Sequence, residues 1–324
     1  MKLLDIFGTL KKDMNVIERE LSRSIDTEHA LLNETSLHLL KAGGKRLRPA
    51  FVLLAGKYGN YDLERLSNVA VPLELIHMAS LVHDDVIDDA ETRRGQLTVK
   101  SKWDNRIAMY TGDYIYAKAL VIVARLENPE IHRVLAKAMV QMSIGEMEQI
   151  RDFFNTDQTI RRYLLRIRRK TALLIAISCQ LGGLAADAPR EVTRQLYRYG
   201  YNVGMAFQIR DDVLDLCGTE KQIGKPPGSD LRQGNITLPV LYALQQDSLR
   251  EPLLAEIQRI HQANGETDVK QAVQMVRGSR GIEQAEALAD RYIQKAMDAL
   301  QQLPSGKTQK HLQEIAHFVA KRSH

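Results

Sequence analysis

The sequence predicts an all-helical fold, and three observations carry that expectation. Apolar residues recur at helical spacing from one end of the chain to the other. Alternating strand patterns with hairpin signals are absent. Helix-breaking residues fall between the periodic segments, at Gly43-Gly44, Gly59-Asn60, Asn128-Pro129, Ala188-Pro189 and the stretch Gly224 to Gly234. Roughly ten to twelve helices are expected, many longer than the average of about 11–12 residues. Pro49 lies near the first turn of the helix that follows Gly43-Gly44, where exposed N–H groups and the helix dipole favour an anion. Segment 62–89 reads as one long helix. Asn128-Pro129 reads as a cap followed by a proline at the first helical position. Segment 190–217 reads as a second long helix. No composition shift or low-complexity linker divides the chain, so a single domain over 1–324 is expected.

Bulk properties narrow the class. Hydrophobic residues make up 44% and charged residues 26%, ordinary for a globular protein. The 45 basic and 40 acidic residues leave +5, which favours an anionic small molecule or surface and does not by itself suggest nucleic acid. Cys179 and Cys217 are too few for a disulfide framework, so a reducing compartment is expected. Asp5 inside the first apolar stretch argues against a secretory signal. The longest apolar stretch, Ala172 to Ala186, is too short and too polar to span a bilayer.

One pattern occurs twice, as Asp84-Asp85-Val86-Ile87-Asp88 and as Asp211-Asp212-Val213-Leu214-Asp215. In each copy the outer aspartates are four apart, one above the other on a helix. Stacked carboxylates repel each other, and stability alone would not select them. They make sense around hard divalent cations, which prefer carboxylate oxygen. For one copy, a solvated acidic helix end neutralised by Arg93 and Arg94 is an equal alternative. Two copies, each after a long apolar helix, favour metal.

Basic residues supply the complementary charge. Gly43-Gly44-Lys45-Arg46-Leu47-Arg48-Pro49 sets three cations beside a glycine pair that permits close backbone approach to a ligand. Lys170-Thr171 ends the run from Arg161 to Arg169, most of which reads as a solvated helix face. Lys225 and Asp230 lie in the Gly/Pro-rich loop, where a lid is expected. His77 is seven residues before Asp84 and shares its helix face. Alone, His77 and His83 would read as structural histidines.

Together these segments resemble the trans-isoprenyl diphosphate synthases. The family's two aspartate-rich motifs, its GGKRxRP segment, its RRG, its KT pair and its GKPxGxDLxxGxxTLP loop are all present in order from Gly43 to Pro239. The medium- and long-chain branch is the most similar. The resemblance implies an all-α bundle of the isoprenoid synthase type around a central cavity. It also implies a Mg2+-dependent condensation of isopentenyl diphosphate onto an allylic diphosphate. By resemblance, Lys45, Arg48, His77 and Arg94 hold the isopentenyl diphosphate. Arg93, Lys170, Thr171, Gln208 and Lys225 hold the allylic diphosphate, with Arg93 and Lys170 also counted as catalytic. Asp84 and Asp88 bind two magnesium ions and Asp211 a third, with Asp85 and Asp215 supporting. One departure is Asn235, where many relatives carry a second lysine; Arg232 is a substitute for its charge.

Ile76, Ala79 and Ser80, one to two turns before the first motif, are expected to line the route of the growing chain. Their small or aliphatic side chains imply a product longer than four isoprene units, with seven the expected length. A large residue at Ala79 is expected to shorten it. The resemblance further implies a dimer, pairing with a smaller and different chain, and a bacterial cytoplasmic setting near the membrane. The product would reach that membrane as a quinone side chain, that of menaquinone. The competing readings are a helical metal-dependent phosphohydrolase, suggested by His83-Asp84, a terpene cyclase, and a non-catalytic regulatory subunit.

Overall fold

The structure is a computed structural model that describes residues 3–220, 226–263 and 267–321, with side chains from residue 8 onward. The chain divides into two compact units. The first comprises residues 1–136, 177–197 and 303–312; the second comprises 137–176, 198–302 and 313–324.

The first unit is organised on one helix. Its helices α1 (Leu3–Ile25), α2 (Ala30–Lys41), α3 (Leu47–Gly56) and α4 (Leu63–Ile87) precede a short hairpin, α5 (Val99–Lys102) and α6 (Asn105–Val123). α4 packs chiefly on α6, and also on α3 and α1. Every residue from Val69 to Ile76 is buried, so this part of α4 is enclosed on all faces and runs through the middle of the unit. α1 is amphipathic by contrast and buries Leu10, Met14, Ile17, Leu21 and Ile25 at three- and four-residue intervals. Asp62 caps α4 by accepting from the Glu64 and Arg65 N–H groups at 2.8 and 3.1 Å. The helix expected over 62–89 therefore starts where its cap allows and ends at Ile87.

The expected absence of strands fails at one place. Thr92–Arg93 (β1) and Gln96–Leu97 (β2) pair antiparallel, in the register Thr92 to Leu97 and Arg93 to Gln96. The turn between them has φ of 54° at Arg94 and 76° at Gly95. Two positive φ values define a type I′ hairpin turn, usually signalled by Asn-Gly or Asp-Gly. Arg-Gly hides that signal, and strands of two residues are too short to show alternation.

The second unit contains α8 (Ile160–Ile167), α11 (Ser229–Arg232), α12 (Leu238–Ala243), α13 (Asp247–Gln262), α14 (Lys270–Arg277) and α15 (Gly281–Gln301). Helices α7 (Pro129–Arg151), α9 (Leu173–Ala185), α10 (Arg190–Cys217) and α16 (Lys307–Ala320) have residues assigned to each unit. The expected proline start of α7 and the expected span of α10 are both observed. The Asn128 side chain accepts from the Glu130 N–H at 2.9 Å. Short helices such as α5 and α11 raise the number of helices above the expectation, because a single turn carries no detectable period.

The core of the second unit collects Met205, Ile209, Val213 and Leu216 from α10 with Tyr163 and Ile167 from α8. Leu238 and Val240 of α12, Leu253 and Ile257 of α13 and Ala285 and Ala289 of α15 complete it. Between α8 and α9 the backbone makes one π-helical turn, Arg168–Ala172. Such turns are rare and concentrate at functional sites. Gly204 of α10 lies against it so closely that a Cβ there would sit 2.6 Å from the Ala172 Cα. Gly204→Ala is therefore expected to destabilise the protein by about 1–3 kcal/mol through overpacking. A urea unfolding midpoint equal to that of the unmodified protein would show that the turn does not need this glycine.

Candidate active site

The functional side chains form two clusters, one in each unit. In the first, the segment between α2 and α3 passes through positive φ at Gly43 (73°), Gly44 (156°) and Arg46 (46°). The Arg94 guanidinium lies over Gly44, where a Cβ would approach Arg94 Nη1 to 2.6 Å. Gly44 thus makes room for the side chain of Arg94, a residue that is itself exposed. Arg46, 7% exposed, points inward. Its Nε donates to Glu18 Oε1 at 2.6 Å, its Nη1 to Glu74 Oε1 at 3.1 Å and its Nη2 to the Leu40 carbonyl at 3.3 Å. Arg46 is a structural tie and Glu74 its buried counter-charge. Sequence reasoning passed over Glu74; a lone acid in the apolar run Val69–Leu81 was its signal.

Arg48 and His77 share these surroundings. Burial pushes the Arg48 guanidinium down to about 10, with Glu74 opposing and Arg94 adding to the shift. Burial and then the charges of Arg48, Arg94, Arg93 and Arg46 hold His77 well below its ordinary value. The structure therefore brings Arg48, His77 and Arg94 together as expected, with His77 neutral. Lys45 is exposed beside them in the chain.

The first aspartate motif divides its labour. Asp84 and Asp88 are partly exposed, whereas Asp85 is 3% exposed and binds Arg93. Arg93 Nε and Nη2 both reach Asp85 Oδ1 at 2.7 Å. Burial raises the Asp85 carboxyl to about 6, Arg93 opposes the shift, and Asp84 and Asp88 reinforce it. Asp85 thus aims an arginine. Upstream, Ile76 and Ala79 have no exposed surface, while Ser80 is partly exposed and donates to the His77 carbonyl at 2.8 Å. Of the three expected chain-lining residues, Ser80 alone presents surface.

The second cluster is built on the π-helical turn. Lys170 Nζ donates to Glu146 Oε2 at 2.7 Å. Thr171 Oγ1 donates to Gln208 Oε1 at 2.7 Å, and Gln208 Nε2 donates to Asp212 Oδ1 at 2.8 Å. Asp212 also accepts from the Tyr163 hydroxyl at 2.5 Å. Asp212 is buried, and burial followed by the Asp230 charge pushes it up to about 7. Asp211 is partly exposed. Asp215 is buried; its Oδ2 accepts the Asp230 N–H at 3.2 Å and its carbonyl accepts the Gly228 N–H at 2.8 Å. Asp215 thereby holds the following loop.

Further along that loop, Gln158 and Arg166 both donate to the Ile236 carbonyl, at 3.1 and 3.2 Å. Thr171 and Gln208 come together as expected, and the Lys170 amine pairs with Glu146; Lys225 lies outside the described residues. Tyr163, Glu146, Gln158 and Arg166 were not signalled by any motif.

Magnesium ordinarily takes one or two protein carboxylates and completes its shell with water and phosphate oxygens. Asp84, Asp88 and Asp211 suit it, being hard oxygen donors with exposed surface. Among the described residues no three His, Cys, Asp or Glu side chains gather closely enough to hold an ion on their own.

A helical chain with two aspartate-rich helix ends, each beside arginine or lysine, is suited to diphosphate chemistry. Comparison with known proteins supports that class. Residues 29–276 match the model of the polyprenyl synthetase family, and the chain belongs to that family. It is 52% identical over 327 residues to heptaprenyl diphosphate synthase component 2 of Geobacillus stearothermophilus, covering all of both chains. It is 49% identical to the protein of that name in Bacillus subtilis (strain 168), covering 99% of this chain and 91% of the other.

Among solved structures, heptaprenyl diphosphate synthase from Staphylococcus aureus superposes with a TM-score of 0.90 at 39% identity, covering 97% of this chain and 99% of the other. A polyprenyl synthase from Caulobacter crescentus CB15, complexed with calcium and isoprenyl diphosphate, gives 0.93 at 30% identity, covering 99% and 98%. The all-helical isoprenoid synthase fold and the trans-prenyltransferase class are thereby established for this chain. No helix among the described residues is long and apolar enough to cross a membrane.

Neutral His77 has a pH signature. The unfolded chain takes up a proton near pH 6.5 and the folded protein does not, so His77 makes stability fall as pH drops below about 6.5. One such group contributes up to about 1.4 kcal/mol per pH unit. His77→Gln is expected to flatten the fall between about pH 7 and 5 by that amount. Equal slopes in urea unfolding would mean that His77 titrates normally.

Proposed function

We propose that this prenyltransferase makes heptaprenyl diphosphate, by adding isopentenyl diphosphate head to tail onto an allylic diphosphate of farnesyl size or longer. The observation that carries this reading is the 52% identity spanning the whole of both chains. Lys45, Arg48, His77 and Arg94 hold the diphosphate of isopentenyl diphosphate. Neutral His77 donates one hydrogen bond there without adding charge to an arginine-rich site. Arg93, Lys170, Thr171, Gln208 and Lys225 hold the allylic diphosphate.

Asp84, Asp88 and Asp211 hold magnesium, three ions in all, and Asp85 and Asp215 support them from behind. When bound, the ions neutralise charge on the departing diphosphate. The basic side chains do the same from fixed positions, which is electrostatic preorganisation. The allylic carbon becomes electron-poor and the isopentenyl double bond attacks it. The released diphosphate takes the proton, so no protein nucleophile is needed. Orientation of the two substrates contributes the rest. Arg232 compensates charge where Asn235 replaces the second loop lysine.

The whole chain acts as one polyprenyl synthase domain, a reading supported by a family match that runs through residues of both units. It works as a dimer, with a smaller and different chain as partner; the name component 2, carried by the Geobacillus and Bacillus relatives, supports the existence of a further component. Apolar side chains left exposed on α6 (Tyr110, Leu120, Val121) and on α7 (Val140, Met147) agree with a partner. The setting is the cytoplasm, the product passes to the membrane, and nucleic acid has no part.

Incubation with isopentenyl and farnesyl diphosphates and magnesium, with and without the partner chain, tests the reading. A seven-unit product that requires the partner is expected; free phosphate in place of condensation product would overturn it. Asp84→Ala and Asp211→Ala are each expected to cut turnover by about 100-fold or more, and an active Asp84→Ala enzyme would contradict the metal assignment. Because Ala79 has no exposed surface, tyrosine there would disturb packing first. Ser80→Phe is the cleaner test of the chain route: shorter products are expected, and an unchanged product distribution would remove Ser80 from it.

A further inference from the structure

Two strands of two residues do not hold a hairpin by themselves, since an isolated two-stranded ribbon is marginal in water. The β1–β2 hairpin carries Arg93 and Arg94, so what fixes it also fixes them. Arg93 and Gln96 flank the two-residue turn, and the next pair, Thr92 and Leu97, falls between the hydrogen-bonded positions of the ladder. Bonding resumes one step further out, where the Thr98 N–H donates to the Glu91 carbonyl at 3.0 Å. The Leu97 carbonyl therefore points away from β1, along the open edge. His38 Nε2, in the last turn of α2, lies 2.7 Å from it. A carbonyl only accepts, so the imidazole donates. The His38 ring also meets Trp103 edge-on, at 5.4 Å between centroids. Six positions after His38 comes Gly44, the residue under the Arg94 guanidinium. One short stretch of chain thus holds the root of the hairpin through His38 and makes room for its tip at Gly44.

We propose that His38 is a positioning residue of the prenyl transfer. Its hydrogen bond to the Leu97 carbonyl sets the hairpin, and so Arg94, against the segment that supplies Lys45 and Arg48. This rests on the reading that Arg94, Lys45 and Arg48 hold isopentenyl diphosphate, and it adds the residue that registers the two segments. The two arginines do not depend on His38 equally. Arg93 has its own tie to the buried Asp85, at 2.7 Å through Nε and Nη2. Arg94 is exposed, and the turn decides where it stands. Loss of the His38 bond is therefore felt at isopentenyl diphosphate and hardly at the allylic substrate.

His38 touches two groups, and two substitutions separate them. His38→Phe keeps a ring against Trp103 and removes the donor. His38→Gln keeps an N–H donor of similar reach and removes the ring. With isopentenyl and farnesyl diphosphates, magnesium and the partner chain, His38→Phe is expected to raise KM for isopentenyl diphosphate about three- to tenfold, the size of one hydrogen bond. KM for farnesyl diphosphate and kcat are expected to stay within about twofold. In His38→Gln the isopentenyl KM is expected to return to within about twofold of the starting enzyme. Amide hydrogen exchange gives a readout without turnover. Residues 91–98 are expected to exchange faster in His38→Phe than in the starting enzyme, and at the original rate in His38→Gln.

A His38→Phe enzyme with unaltered isopentenyl KM would overturn the proposal. So would His38→Gln as impaired as His38→Phe, which would assign the effect to packing on Trp103, or a raised KM with unchanged exchange over 91–98. His38→Leu, which also lacks the donor and suits a helix, takes the place of His38→Phe should that variant fail to fold. Arg94→Gln separates the two levels. A raised isopentenyl KM in Arg94→Gln with none in His38→Phe refutes the positioning role alone; an unaltered KM in Arg94→Gln refutes the placement of Arg94 at isopentenyl diphosphate as well.

Discussion

Arg46 and Glu74 meet at 3.1 Å inside the first unit, both almost fully buried, and the basic cluster is built outward from that pair. Neither ion could be there alone, since an unpaired buried charge is strongly destabilising. Glu18 takes a second edge of the Arg46 guanidinium, so α1, the start of α3 and the middle of α4 are tied at one point. The consequence reaches the groups proposed to bind diphosphate. Arg46 itself lies in the left-handed region, the preceding Gly44 lies under Arg94, and Arg48 shares the surroundings of His77. Several like charges stand close before any substrate is present, and the carboxylate of Glu74 moderates their repulsion.

The acidic groups obey the same constraint. Each aspartate-rich motif has a buried second member, and each of these is held by protein donors: Asp85 by Arg93, Asp212 by Tyr163 and Gln208. The partly exposed members, Asp84, Asp88 and Asp211, are the ones suited to bind from solution. Burial raises both inner carboxyls, to about 6 and about 7, and their donors oppose that rise. Their burial is what makes the donors necessary. The motif is thus a pair of jobs on neighbouring helix positions, one facing outward and one securing the side chains behind it.

Much of this was legible along the chain. The long helices 63–87 and 190–217 follow from periodicity and caps, and the two aspartate-rich motifs fall at their C-terminal ends. The hairpin that carries Arg93 and Arg94 was not, because its turn uses Arg-Gly in place of Asn-Gly and its strands are two residues long. The π-helical turn at Lys170-Thr171 was not either. The turn falls in the basic run Arg168–Lys170, which has no apolar pattern to shift, and its close neighbour lies 32 positions on from Ala172, at Gly204, whose missing Cβ leaves room for Ala172. Ala79 and Ser80 look alike as small residues in a row, yet one is sealed in the core and the other is not.

By itself the sequence determined the helical class and the family, and it singled out the groups proposed to meet diphosphate and metal, since those depend on residue type and on spacing within a helix. Tertiary structure decided which of these groups remain available. It placed Glu74 against Arg46, Asp85 against Arg93 and Tyr163 against Asp212, pairings between residues from 8 to 49 positions apart. Hydrogen-bond direction and burial depend on what lies across the core, and neighbours brought together by folding leave no period in the chain that joins them.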